Sequence, residues 1–204
     1  MLRAVIFDVG GVLIRTRNRR GREKWAKRLG LDSWEFENFV FAGESGLQAQ
    51  LGQKSFDDHW HWLGKYFKLN DTELAQMRQD FFAGDVMNDA LVAVVPRLRQ
   101  AGYKTGILSN FGNDARYVWR EIYPFIEYFD IENIIISSEV GLMKPDPRIY
   151  ALAAERVGVK MEEILFIDDF VENIIGAQKA GMQTLHFADP DNARQKLLEI
   201  TGIA

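Results

Sequence analysis

The chain has 204 residues, of which 47% are hydrophobic and 26% charged, and its formal net charge is −4. This is the make-up of a globular fold rather than a disordered or fibrous chain, and the acidic balance gives no reason to expect nucleic acid as a partner. It has no cysteine, which removes disulfides, thiol catalysis and cysteine metal sites together. No apolar run approaches the roughly 20 residues of a membrane span, and the N-terminus lacks a signal-like apolar region. A cytoplasmic protein without a membrane partner is the expectation.

In chain order, "RAVIFD" at 3–8 is the first predicted strand, short and apolar like strands buried on both faces. From there to about residue 87 no strand is predicted. Only helical stretches with apolar, aromatic faces follow, and residues 25–82 hold four of the five tryptophans, which predicts a helical lobe with its own core. "NDALVAVVPRLRQAG" at 88–102 has helical spacing at Leu91, Val94, Val95 and Leu98, with a kink or late start expected at Pro96. "YKTGILS" and "NIIIS" are the next predicted strands. "KPDPRIYALAAERVG" then reads as a helix capped by Asp146, entered through Pro147 and stopped at Gly158. "EILFID", the helical "VENIIGAQKAG" and "QTLHF" complete the alternation. The prediction is an α/β fold with a doubly wound parallel sheet.

In such sheets ligands bind beyond the carboxyl ends of the strands. Asp8 follows the first strand, Ser109 and Asn110 the second, Lys144 lies beyond the third, and Asp168 and Asp169 follow the fourth. A lone aspartate after a strand is more often a helix cap than a catalyst. Two adjacent carboxylates are different, because they repel one another and need a cation nearby. Three carboxylates with backbone oxygens suit a hard ion such as Mg²⁺. An aspartate can attack phosphorus to form an aspartyl-phosphate that water then hydrolyses. Ser109 and Lys144 would hold the phosphoryl oxygens, and Lys144 would offset charge in the transition state.

The ordered stretches "FDVGGVL", "ILSN", "GLMKPDPRIY" and "FIDDFVEN" resemble the motifs of the haloacid dehalogenase superfamily, in its metal-dependent, phosphatase-like branch. The resemblance implies a Rossmann-like core over 1–14 and 88–204 and a helical cap over 15–87. It implies that Asp8 is the nucleophile and a metal ligand, that Ser109 and Asn110 bind phosphate, and that Lys144 orders nucleophile and phosphate. It makes Asp169 a direct metal ligand, with Asp168 beside it or acting through water. Asn173 falls where the family often supports the acidic loop, although a surface helix residue reads equally well. The implied reaction is Mg²⁺-dependent hydrolysis of a small phosphorylated metabolite.

The departure is Gly10, where phosphatases of this family usually carry a second aspartate that protonates the leaving oxygen. Gly10 keeps the backbone carbonyl for a metal and lacks the acid. Three readings stay open. One is a phosphatase with its acid elsewhere, or with a good leaving group such as an anomeric or phenolic oxygen. The second is a non-catalytic relative that binds a phospho-ligand or a protein. The third is a dehalogenase, which the acidic pair disfavours. Phosphonate cleavage would need a cap lysine, for which Lys54 is the candidate. Gln53 and Lys54 are candidates for substrate contact, and the basic run "RTRNRRGREK" at 15–24 is either a solvated linker or a rim drawing in anions. His59 and His61, two apart, face different sides of a helix and read as structural. His186, after the last strand, is expected to pack or to make a surface hydrogen bond.

Overall fold

The computed structural model describes residues 1–203. Strand β1 (Ala4–Phe7) is buried along its whole length and pairs in parallel with β4 (Lys104–Ser109) on one side and β6 (Ile164–Asp168) on the other. Strands β5 (Ile134–Ile136) and β7 (Gln183–His186) complete a five-stranded parallel sheet in the order β5-β4-β1-β6-β7. Val5 and Phe7 enter one core cluster, while Ala4 and Ile6 enter the other. That period of two on a strand apolar on both sides shows why helices cover both faces. The Val5 side is covered by α6 (Asp89–Val92), α7 (Val94–Gln100) and α12 (Pro190–Thr201), through Leu91, Val95, Leu98 and Leu197. The Ile6 side is covered by α10 (Pro147–Val157) and α11 (Val171–Ala180), through Ile149, Tyr150, Ala153 and Ala177.

The helix expected over 88–102 is divided between Val92 and Val94. Pro96 has no N–H for the carbonyl of Val92 and its ring crowds that carbonyl, so the interruption falls one turn before the proline. The short helices α8 (Ala115–Tyr117) and α9 (Ser137–Val140), with helical turns between them, carry the chain around β5.

Two strands lie where none was predicted. Strand β2 (Ile14–Thr16) pairs antiparallel with β3 (Asp85–Met87). At three residues each they are too short to show a period in the sequence. They are the two chain crossings between the sheet and a helical lobe formed by α1 (Arg20–Leu29), α2 (Ser33–Phe41), α3 (Glu44–Gln50), α4 (Phe56–Tyr66) and α5 (Asp71–Phe82). Side chains of Asp32 and Asn70 cap α2 and α5 in capping boxes with Glu35 and Glu73. The lobe buries Trp25, Phe36, Trp60, Leu63, Met77 and Phe81 in a core of its own. Much of the basic run is consumed here. Arg22, 5% exposed, pairs with Glu37 and with Asp85 of β3, Arg19 pairs with Glu37, and Lys24 with Asp80.

The lobe also touches the sheet's carboxyl edge. The Ser137 hydroxyl donates to the carbonyl of Gln50 at 2.6 Å, and Asn113 accepts from the Phe56 N–H at 2.9 Å. Among the described residues no helix is long and apolar enough to cross a membrane.

Candidate active site

The strand order reverses between β1 and β6, so a crevice opens beyond their carboxyl ends. Asp8 is the first residue past β1, its N–H bonded to the carbonyl of Ile167 at 2.8 Å. Asp168 ends β6 and Asp169 follows it. One carboxylate oxygen from each of Asp8, Asp168 and Asp169 lies within 4.8 Å of the others. Three acids held that close repel one another, and a hard cation coordinated by oxygens resolves the conflict. The donor set, all carboxylate, fits Mg²⁺.

Lys144 puts a positive charge directly between two of these acids. It is 2% exposed, and its Nζ lies 2.9 Å from Asp8 Oδ1 and 2.6 Å from Asp168 Oδ2. Its backbone is clamped by Asn110, whose Oδ1 accepts from the Lys144 N–H at 2.8 Å and whose Nδ2 donates to the Lys144 carbonyl at 2.9 Å. Both ends of that amide are thus engaged, so a phosphate contact from Asn110 would fall to its backbone.

The two acids after β6 differ sharply. Asp168 is fully buried and accepts from Lys144, from the Phe170 N–H at 2.7 Å, and from Asn173 Nδ2 at 3.1 Å. Asn173 is positioned in turn by α11, whose carbonyl at Asn173 accepts from the Tyr150 hydroxyl at 2.9 Å. Asp169 makes no side-chain hydrogen bond or ion pair to described residues, which leaves its carboxylate available to an ion. Ser109, at the end of β4 and 1% exposed, likewise has a hydroxyl with no protein partner among the described residues.

Burial pushes the Asp8 carboxyl up to about 7; Lys144 pulls it down, and Asp168 and Asp169 add to the rise. Asp169 is pushed up to about 6, first by burial and then by Asp168. Burial acts to lower Lys144, but the Asp8 and Asp168 carboxylates outweigh it and hold the ammonium above its ordinary value. Burial and mutual repulsion thus favour the protonated forms of Asp8 and Asp169, a tendency that a divalent ion would oppose.

The glycine turn separates two roles. A Cβ on Gly11, at φ +74°, would sit 1.9 Å from Asp169 Oδ2, so a side chain there would strain the backbone and displace that carboxylate. At Gly10 a Cβ would meet no atom within 4 Å. The missing acid at position 10 is therefore not forced by packing.

The other predicted residues lie apart from the acids or act through them. His59 is fully buried in the lobe, its Nδ1 3.0 Å from Ser45 Oγ, and burial holds its imidazole down at about 4. His61 is exposed and bonds the carbonyl of Asp57, and Gln53 is also exposed. Lys54 donates to Ser45 Oγ at 3.1 Å. His186 Nε2 lies 2.9 Å from the carbonyl oxygen of Asp169, bracing the acidic loop from behind. Sequence reasoning missed Tyr150, which sits in an apolar helical stripe and gives no polar signal of its own.

Residues 2–181 match the model of the haloacid dehalogenase-like hydrolase family. The chain is 28% identical over 202 residues to the sesquiterpene phosphatase astK of Aspergillus oryzae, spanning 98% of this chain and 97% of that one. It is 30% identical over 186 residues to a phosphatase, MT3486, of Mycobacterium tuberculosis, spanning 88% and 84%. A HAD family enzyme of Bacteroides thetaiotaomicron, crystallised with magnesium and inorganic phosphate, superposes with a TM-score of 0.72 at 23% identity, covering 91% of this chain and 94% of that one. With its parallel sheet, its four ordered motifs and its acids gathered at the crevice, the chain belongs to the haloacid dehalogenase-like hydrolases.

Proposed function

We propose that the protein is a Mg²⁺-dependent phosphatase that hydrolyses a small phosphate monoester through an aspartyl-phosphate on Asp8. The observation that carries this reading is the acid triad of Asp8, Asp168 and Asp169, spanned by the buried ammonium of Lys144. The phosphatases among its relatives support the reaction class.

Asp8, Asp169 and the backbone carbonyl of Gly10 would hold the ion, with Asp168 beside them. The bound cation would screen the repulsion between the Asp8 carboxylate and an anionic phosphate. Lys144 fixes Asp8 Oδ1, leaving Oδ2 to attack phosphorus. Ser109 donates its unpartnered hydroxyl to a phosphoryl oxygen. As the new Asp8–phosphorus bond forms, the bond to the leaving oxygen breaks and its electron pair departs with that oxygen. Water then attacks phosphorus, the bond between phosphorus and the Asp8 oxygen breaks, Asp8 recovers its carboxylate, and the protons of the water leave with the phosphate. The helical lobe acts as the cap, since it hinges on β2 and β3 and rests on the sheet edge through Gln50 and Phe56.

Gly10 restricts the substrate. Without an acid there, a leaving oxygen that needs no early proton, such as a phenolic or anomeric one, is favoured. The test is phosphate release from esters with graded leaving groups, in Mg²⁺ and in EDTA. Metal-dependent release, fastest for the best leaving groups, is the expected result. Release unaffected by EDTA would refute the metal requirement.

A further inference from the structure

We propose that Ser137 is a positioning residue that couples the seating of the helical lobe to the placement of Lys144. The inference rests on the phosphatase reading above and deepens it by naming how the lobe acts on that site.

The lobe is held unequally at its two ends. At the β2 and β3 crossing, buried Arg22 donates to the Phe81 carbonyl at 3.0 Å and pairs with Asp85, and the Thr16 hydroxyl donates to Asp85 at 2.6 Å. At the far end neutral hydrogen bonds meet the sheet's edge, from Ser137 to the Gln50 carbonyl and from the Phe56 N–H to Asn113. The approach there is close. A Cβ on Gly52 would fall 2.1 Å from the Ser138 carbonyl oxygen, and the Phe56 and Phe111 rings lie 6.1 Å apart. Parting buried charges costs more than parting a neutral hydrogen bond, so the far end is the one that can lift.

Ser137 is fully buried at this seam, as the first residue of α9. Its oxygen accepts from the Phe111 N–H at 3.0 Å and donates to the Gln50 carbonyl at 2.6 Å. The Phe111 carbonyl stands by as a second acceptor at 3.3 Å. A hydroxyl has one proton, so the shorter bond holds it while the lobe is seated. When the lobe lifts, the proton turns to the Phe111 carbonyl and no buried donor is left unpaired. Ser137 thus has two arrangements, one for each position of the lobe.

Phe111 carries the effect inward. In the loop 109–111, Ser109 is fixed in β4 opposite Ile136 of β5, and the Phe111 N–H is fixed by Ser137. Between them Asn110 grips the N–H and the carbonyl of Lys144. Lys144 Nζ in turn reaches Asp8 and Asp168. With the lobe seated, the bond to Gln50 leaves the Ser137 oxygen turned toward the Phe111 N–H, and the loop is pinned with the ammonium in place. With the lobe lifted, the same oxygen is shared between both polar groups of Phe111, and the loop is held less firmly. Lys144 is therefore best placed when the substrate is covered.

The experiment uses the full chain with Mg²⁺ and an aryl phosphate. It reads the single-turnover rate and the substrate affinity separately, with thermal melts beside them. Wild type, Ser137→Ala, Asn113→Ala, Asn110→Ala, each of the last two combined with Ser137→Ala, and Asp8→Asn are compared. Ser137→Ala should lower the rate about 10-fold with affinity nearly unchanged. Asn113→Ala, which loosens the lobe, should lower the rate in the wild-type background and not further in the Ser137→Ala background. Asn110→Ala with Ser137→Ala should be no slower than Asn110→Ala alone, because both act along one path. Should Ser137→Ala fail to fold, Asn113→Ala with Asn110→Ala decides by the same rule. An unchanged rate in Ser137→Ala, a loss of affinity alone, or losses that multiply in a double variant, with Asp8→Asn inactive, would overturn the coupling while sparing the phosphatase. Full turnover by Asp8→Asn, or no release by wild type, would overturn both.

Discussion

Gly11 lies directly against the carboxylate of Asp169, so closely that a Cβ on Gly11 would fall 1.9 Å from Oδ2. One residue earlier, Gly10 has open space. The two glycines of "VGGV" are therefore unequal. Gly11→Ala should cost about 1–3 kcal/mol through its positive φ and the collision with Asp169, and should reduce activity severely by displacing that acid. Gly10→Ala should change stability by no more than about 0.5 kcal/mol. Urea denaturation of the two variants checks both values.

Lys144 and Ser109 should separate stability from activity. Lys144 neutralises two carboxylates in a buried setting, so Lys144→Ala leaves uncompensated charge and should destabilise the apo protein by about 3–5 kcal/mol. The Ser109 hydroxyl has no internal partner, so Ser109→Ala should leave the melting temperature nearly unchanged while weakening phosphate binding. Thermal melts beside inorganic phosphate inhibition constants would show the contrast.

Asn110 positions Lys144 through two backbone hydrogen bonds. Asn110→Ala should lower kcat by between about 10- and 100-fold through misplacement of the ammonium. A fall in KM-limited binding alone, with kcat preserved, would instead assign Asn110 to the phosphate.

The acids set a pH signature. Asp8 is raised to about 7 and Asp169 to about 6 in the folded protein, against 3.8 for each ordinarily. Folding therefore favours their protonated forms. In metal-free protein this contribution is fully present below about pH 4 and is lost as pH rises through 6 to 7. Asp8→Asn should accordingly raise the melting temperature of the apo protein at pH 8 and change it little at pH 4. Mg²⁺ has to displace those protons, so its stabilising effect should be larger at pH 8 than at pH 5. A melting series over pH, with Mg²⁺ and with EDTA, measures this.

Much of the fold was legible because buried parallel strands are continuous apolar runs. β1, β4, β5, β6 and β7 all lie within predicted stretches. β2 and β3 were not legible, since three residues cannot display a period and their role is set by the lobe between them. In the site, the acids and Lys144 were readable from their places after strands. Of the partners that orient them, Asn173 was anticipated from the resemblance, while Tyr150 and the clamp that Asn110 makes on Lys144 were not. Asn110 reads as a phosphate contact, and only the fold shows the Lys144 backbone lying across its amide. Tyr150 is indistinguishable from core. The run "RTRNRRGREK" reads as a uniform basic stretch, and only the fold shows that Arg19, Arg22 and Lys24 pair with carboxylates.

The central claim is that Asp8 is the nucleophile. Its most direct test is acid quenching of the Mg²⁺-loaded protein during turnover of an aryl phosphate, followed by mass analysis of the peptide containing Asp8. The account predicts that this peptide carries one phosphoryl group on Asp8, absent in EDTA. Phosphate release at the wild-type rate by Asp8→Asn, with no phosphoryl adduct on any carboxylate, would contradict it.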